Sequence, residues 1–225
     1  MSQNNLQPTE FVQMEFAFYN VTSIRGFTSI ITLVRENNRI LWVFPTVSKR
    51  LPIRIICFIL ITILKEKHPC KCIRVDEDSA LEKSTDVTNL LVDELKIFME
   101  TTGGDAPWTN NRSERHNRSI HNIVRKGILD SNQHENKWFC EEDISSEFHR
   151  CIMYSDLENT SPHFIWYGKN PSIHELRTFG CDIYPIPSSP ENLYDITQAG
   201  SLMGYTHIRA TMKWWDTHTK RLKYC

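Results

Sequence analysis

The rhythm of apolar residues changes along the chain, and each change marks an element. Phe27 to Val34 and Ile40 to Val47 are rich in β-branched and aromatic residues and flank the polar stretch Arg35-Glu36-Asn37-Asn38-Arg39, which predicts a hairpin. Phe11 to Val21 is mixed in pattern and adds a third strand if it is counted. Pro52 opens an apolar stretch to Leu64 of helical length, with proline at a helix-start position. Lys71 to Asp76 alternates and ends in acid, predicting a short strand that presents Asp76 at its C-terminal end. Thr88 to Thr101 places Leu90, Leu91, Leu95, Phe98 and Met99 at helical spacing behind Asp86, and so predicts an amphipathic helix. After the loop chemistry of Gly103-Gly104-Asp105-Ala106-Pro107, Ser113 to Leu129 and Lys137 to Met153 read as two more helices. Past Ser155 prolines crowd the chain, leaving room for short elements only. Ser201 to Tyr205, Met212 to Trp215 and Arg221 to Tyr224 then read as strands of a small all-β module.

A chain of 225 residues, 40% hydrophobic and 24% charged, can bury a core as one large domain or as one domain with a small appendage. The 26 Lys and Arg nearly balance the 27 Asp and Glu, which excludes a uniformly basic nucleic-acid protein and leaves a local patch as the way to bind by charge. Seven cysteines, an odd number behind no apolar leader, point to an intracellular reducing compartment rather than a disulfide framework. Cys70 and Cys72 lack the second pair that a structural zinc site needs. The longest apolar run, Ile55 to Leu64, is too short to span a bilayer, so no membrane partner is expected.

Charge is segregated within that balance. Asp76 to Glu100 carries eight acids against two lysines, whereas Thr109 to Lys126 carries Arg112, Arg115, Arg118, Arg125 and Lys126 against Glu114 alone. An acidic strand end beside a basic helix suits a site for cations and an anionic polymer; two solvated faces of opposite sign that pair with each other give the same pattern. Within the basic helix Glu114, Arg118, His121 and Arg125 follow at steps of four, three and four, so they share one face. Trp214 and Trp215 read either as base-stacking residues or as one core and one surface residue of the β module.

The stretch Asn110-Asn111-Arg112-Ser113-Glu114-Arg115-His116-Asn117-Arg118 resembles the Asn-Gly-x-x-Glu-Arg-x-Asn signature of copia-type (Ty1/copia) retrotransposon integrases, where the Glu is the third acid of an Asp-Asp-Glu triad. Other matches follow in the family's order. Ile73-Arg74-Val75-Asp76 is similar to the stretch carrying the second acid, and Arg39 to Pro45 to the strand after the first. Ser161-Pro162 with Trp166-Tyr167-Gly168-Lys169-Asn170-Pro171 and Leu176-Arg177-Thr178-Phe179-Gly180-Cys181 resembles the family's Thr-Pro…Trp-x-Gly-x-x-Pro…Leu-Arg-x-Phe-Gly-Cys run. Gly204-Tyr205 with Trp215-Asp216 is similar to the SH3-like module that follows it.

The resemblance, over Met14 to Cys225, implies an α/β fold: an RNase H-like mixed sheet flanked by helices over residues 1–160, a connecting segment over 161–180, and a partial SH3-like β module over 181–225. It implies Glu15, Asp76 and Glu114 as catalytic and metal-binding acids holding two Mg²⁺ or Mn²⁺ ions for phosphoryl transfer. It also implies DNA as partner, with Arg112, Arg115, Arg118, His121, Arg125 and Lys126 as the nucleic-acid-binding set. A homo-oligomer and a nuclear site of action are expected on the same footing. A family member carries an upstream His/His/Cys/Cys zinc module within a polyprotein, so the chain reads as a fragment.

The departures bear on chemistry. Met14-Glu15-Phe16 stands where the family has an Asp, and the added methylene moves the carboxylate by about 1 Å, a displacement that can cost on the order of a hundredfold in rate. Arg35 replaces an Asp common on the following strand and is expected to add positive charge near the site. Asn110-Asn111 replaces Asn-Gly, and Asp76-Glu77-Asp78 replaces Asp-Asn-Gly. The expectation is metal-dependent DNA strand transfer that is impaired, or a non-catalytic DNA-binding or interaction module that keeps the basic helix.

Overall fold

The structure is a computed structural model that describes residues 11–47, 70–76, 83–102, 111–174, 176–185, 199–205 and 211–225; of 111–113, 142 and 143 it describes the backbone. The helix expected over Pro52 to Leu64 and the loop over Gly103 to Pro107 lie outside these residues. The mixed pattern of Phe11 to Val21 resolves into β1 (Phe11–Phe18), and the hairpin is β2 (Ser29–Arg35) and β3 (Leu41–Thr46). Its polar turn closes with Arg39 in the left-handed region at φ 57° and with Asn38 Oδ1 accepting from the Ile40 amide at 3.1 Å. β4 (Cys72–Asp76) ends in Asp76, as the alternation predicts.

The helix expected over Thr88 to Thr101 is corrected. A short helix, α1 (Thr85–Thr88), runs on as a π-helical turn over Asn89–Glu94, and Phe98–Thr102 is a strand, β5. Lys96 takes a left-handed φ of 57°, and the Ile97 amide turns back to the Leu91 carbonyl at 2.7 Å, which ends the helix. Downstream, pairing with β4 in parallel register, Cys72 with Phe98 through Asp76 with Thr102, overrides the local period.

The five strands lie in the order β3-β2-β1-β4-β5, antiparallel across β1, β2 and β3 and parallel across β1, β4 and β5. Alternation sends Val12, Met14, Ile31, Leu33, Ile73 and Val75 to one face, where they pack with Val87, Leu91 and Ile97 of the α1 region and with Trp42 and Trp166. Ile30, Val34 and Leu41 go to the other face, against α2 (Asn111–Asp130) and α3 (Trp138–Cys151). The α2 contribution is Ile120, Val124 and Ile128, one stripe at spacings of four. A shorter helix, α4 (Pro162–Tyr167), starts at Ser161, whose hydroxyl caps the Phe164 amide, and stops at Gly168 with φ 70°.

The C-terminal strands form a second sheet, β6 (Asp182–Ile183), β7 (Gly200–Tyr205), β8 (Met212–Asp216) and β9 (Arg221–Tyr224), antiparallel throughout. Leu202, Met203 and Tyr205 join the same apolar cluster as Ile30, Ile120 and Trp138, so the two sheets share a core. Polar contacts fix the seam. Lys137, buried between them, donates to Gln133 Oε1 at 2.6 Å and lies 4.4 Å over the Trp215 ring, while Gln133 donates to Ser201 Oγ at 3.3 Å. Asp216 is fully buried at the β8–β9 turn, where Lys223 and the His218 and Thr219 amides hold its carboxyl well below the usual range.

At the other end of the helix pair His116 of α2 meets His149 of α3 edge to face, with ring centroids 4.8 Å apart. The Tyr154 hydroxyl lies 2.9 Å from His149 Nε2, Arg39 covers the Tyr154 ring at 4.7 Å, and Arg39 pairs with Asp156. Burial, with Arg150 and Arg39 nearby, pulls the His149 pKa down to about 4.

Two stability predictions follow from this packing. A Cβ on Gly200 would overlap the Trp214 indole and lie 2.6 Å from the Trp215 carbonyl oxygen, so Gly200→Ala is expected to lower denaturant-measured stability by about 1–3 kcal/mol. His149 takes up its proton more readily unfolded than folded, so its contribution is present above pH 6.5 and is lost as pH falls toward 4. The melting temperature should fall across that window, and His149→Gln should flatten the fall; an equally steep fall in the variant would assign the acid sensitivity to other groups.

Candidate functional site

The two strand acids come together through register alone. Met14 pairs with Val75 on the parallel strands β1 and β4, so the next positions, Glu15 and Asp76, are neighbours at the same level. Glu15 also pairs with Thr32, which lies between Ile30 and Val34, so the acid belongs to the sheet face covered by α2 and α3. Asp76 is exposed at the end of β4, whereas Glu15 is half-buried with its Oε2 sealed from solvent.

One step back on the same face lies Arg74, which donates to Glu100 Oε2 at 2.8 Å and reaches Glu36 Oε2 at 3.5 Å. Its guanidinium lies 5.0 Å over the Phe11 ring. This cation beneath the acids is thereby tied to carboxylates of its own.

Glu114 occupies the first turn of α2, where the helix dipole favours an acid, and it is exposed. The turn is anchored by its buried neighbours His116 and Asn117. Among the described residues no three or more His, Cys, Asp or Glu side chains are grouped to hold a metal ion, so Glu15, Asp76 and Glu114 are not drawn into one such group.

The basic residues divide by environment. Arg115, Arg118, Arg125 and Lys126 are exposed along α2; Arg112 lies on its first turn, with only its backbone described. His121 stands apart. Its ring stacks on Tyr19 with centroids 4.4 Å apart and planes 7° from parallel, and Tyr19 stacks in turn on Trp138 at 3.9 Å. Burial lowers the His121 pKa, so the imidazole is neutral near pH 7 and pins the end of β1 to α2 rather than offering a cation to phosphate.

The expectation that Arg35 adds charge to the site is corrected. Arg35 is 2% exposed and alternates with Leu33 and Ile31 toward the opposite sheet face, where its guanidinium lies 5.7 Å over the Trp166 ring. Trp214 is buried, with Lys223 over its ring, and is the core residue of the pair, while Trp215 is half-buried with Lys137 over its ring.

Tyr19, Trp138, His149 and Tyr154 were not singled out by sequence reasoning. Each partner is distant in the chain, as with the Trp138 indole donating to the Val21 carbonyl at 2.8 Å, and no local spacing signals such contacts.

No family model and no curated protein matches this sequence. Solved structures do. The catalytic core domain of BIV integrase aligns with a TM-score of 0.52 and 14% identity, covering 71% of this chain and 95% of that one. The catalytic core domain of HTLV-2 integrase, in complex with magnesium in a trimeric form, aligns with a TM-score of 0.53 and 14% identity, covering 72% of this chain and 98% of that one. The strand order, the helices on both faces and these two alignments agree: the first sheet and its helices have the RNase H-like fold of an integrase catalytic core, and a second, all-β sheet of SH3-like character follows it.

Proposed function

We propose that the chain is a copia-type integrase core that binds DNA along the exposed basic side of α2 and whose metal-dependent strand transfer is impaired. The observation that carries this reading is the placement of Arg115, Arg118, Arg125 and Lys126 on the outer side of the same helix that covers the sheet face bearing Glu15 and Asp76. Guanidinium and ammonium groups in a row along a helix suit a phosphate backbone, and burial of the apolar stripe on the opposite side fixes the row in place. The copia assignment is supported by the ordered motifs from Glu15 to Asp216, DNA as partner and self-association by likeness to the integrase cores, and a nuclear site of action by the DNA partner.

The magnesium of the HTLV-2 relative supports a divalent ion as the cofactor of this fold. The residues here do not fit that ion as they stand. Mg²⁺ requires near-octahedral oxygen ligands and retains waters, yet one Glu15 oxygen is sealed from solvent and Glu114 completes no three-acid group. No strand-transfer step is therefore assigned through a metal, and the same two facts are what support impairment; a DNA-binding module without catalysis is the second reading they allow.

Two measurements test the proposal. The logarithmic salt slope of duplex DNA binding should fall by about one unit in Arg118→Ala, and an unchanged slope would remove Arg118 from the interface. Purified chain with Mg²⁺ or Mn²⁺ should nick DNA weakly, and Glu15→Asp should nick more; no nicking from either protein while duplex binding persists would establish the non-catalytic reading.

A further inference from the structure

Glu141 lies on α3 against α2, 4% exposed, at the place where α2 has Gly127. The approach is so close that a Cβ on residue 127 would overlap Glu141 Oε1 and sit 3.0 Å from Oε2. Ser145, one turn along α3, donates to Oε1 at 3.2 Å. Oε2 has no hydrogen-bond partner among the described residues. Gly127 is flanked on α2 by the apolar Val124 and Ile128, and Lys137, one turn before Glu141 on α3, turns its ammonium to Gln133 and Trp215. Arg125, Lys126 and Asp130 sit on the exposed sides of α2. Among the described residues, then, no charged group faces this carboxyl, and burial, opposed only by the Ser145 hydrogen bond, pushes its pKa up to about 8.

A protonated carboxyl suits this position, because it is neutral and its apolar surroundings cost it little. An ionised one does not, since a buried carboxylate with an oxygen lacking a donor costs far more than a hydrogen-bonded neutral acid. The way to relieve it is to admit water between α2 and α3. Because the glycine leaves no side chain between the carboxyl and the α2 backbone, that opening moves α2 itself.

We propose that Glu141 is a pH-sensitive latch between α2 and α3: neutral, it seats α2 on the helix behind it, and ionised, it loosens α2 together with the basic side that meets DNA. This regulation rests on the DNA-binding reading above for its consequence, while the latch itself concerns the helix pair alone. The sign is set by the carboxyl. The folded form binds its proton more tightly than the unfolded one, so the contribution is full below about pH 4.5 and declines as pH rises through about 8.

The test uses the full chain, Glu141→Gln and Glu141→Met. Between pH 6.5 and pH 9, wild type should lose at least tenfold in α2 amide-exchange protection, corrected for intrinsic rates, and severalfold in affinity for a fluorescein-labelled DNA duplex at fixed ionic strength. Both variants should hold both quantities nearly constant. Equal losses in a folded variant and in wild type would overturn the latch. Carboxyl ¹³C NMR of glutamate-labelled wild type needs no variant: one carboxyl should titrate well above the rest, and α2 protection should fall with it. If no carboxyl does so, or protection does not follow, the latch is overturned even if neither variant folds. A loss of protection without DNA binding at any pH would sustain the latch and sink the DNA reading instead.

Discussion

The parallel pairing of β1 with β4 is the constraint from which the site follows. It joins the antiparallel hairpin half of the sheet to the parallel half, and a slip of one residue would turn Glu15 or Asp76 to the opposite face. Burial on both sides forbids that slip, because Val12, Met14, Ile73 and Val75 are committed to the α1 side. The positions of the two acids are thus determined by their apolar neighbours.

What holds α2 over those acids is a different kind of interaction. Its apolar stripe supplies adhesion, and ring contacts fix it further: His116 against His149 near one end, His121 against Tyr19 further along. Burial lowers the pKa values of His149 and His121, and these two rings pack as aromatic surfaces. His121, which shares a face with the arginines on a helical wheel, packs here as part of the scaffold, and the exposed arginines remain as the surface charge.

Much of this was legible in the sequence, for identifiable reasons. The hairpin, β4, α2, α3 and the three longer C-terminal strands each carry a local period or turn chemistry that tertiary packing reinforces. The second helix period failed at Phe98 to Thr102, where pairing with β4 outweighed spacing that suits a helix equally well. Neither the adjacency of Glu15 and Asp76 nor the face taken by Arg35 was legible, because both depend on register, and register is a relation between strands. Glu141 was invisible for a similar reason: an acid in an amphipathic helix reads as solvent-facing until the partner helix is seen to offer a glycine.

The shared core of the two sheets has a consequence for how the chain is made. Ile30 of the second strand and Leu202 of the seventh belong to one apolar cluster, separated by most of the sequence. In a chain emerging from the ribosome α2 and α3 follow the first sheet and can cover it, but the side of α3 that packs on β7 stays open to solvent until the last strands are made. Synthesis of the C-terminal sheet is thus the step that completes the shared core.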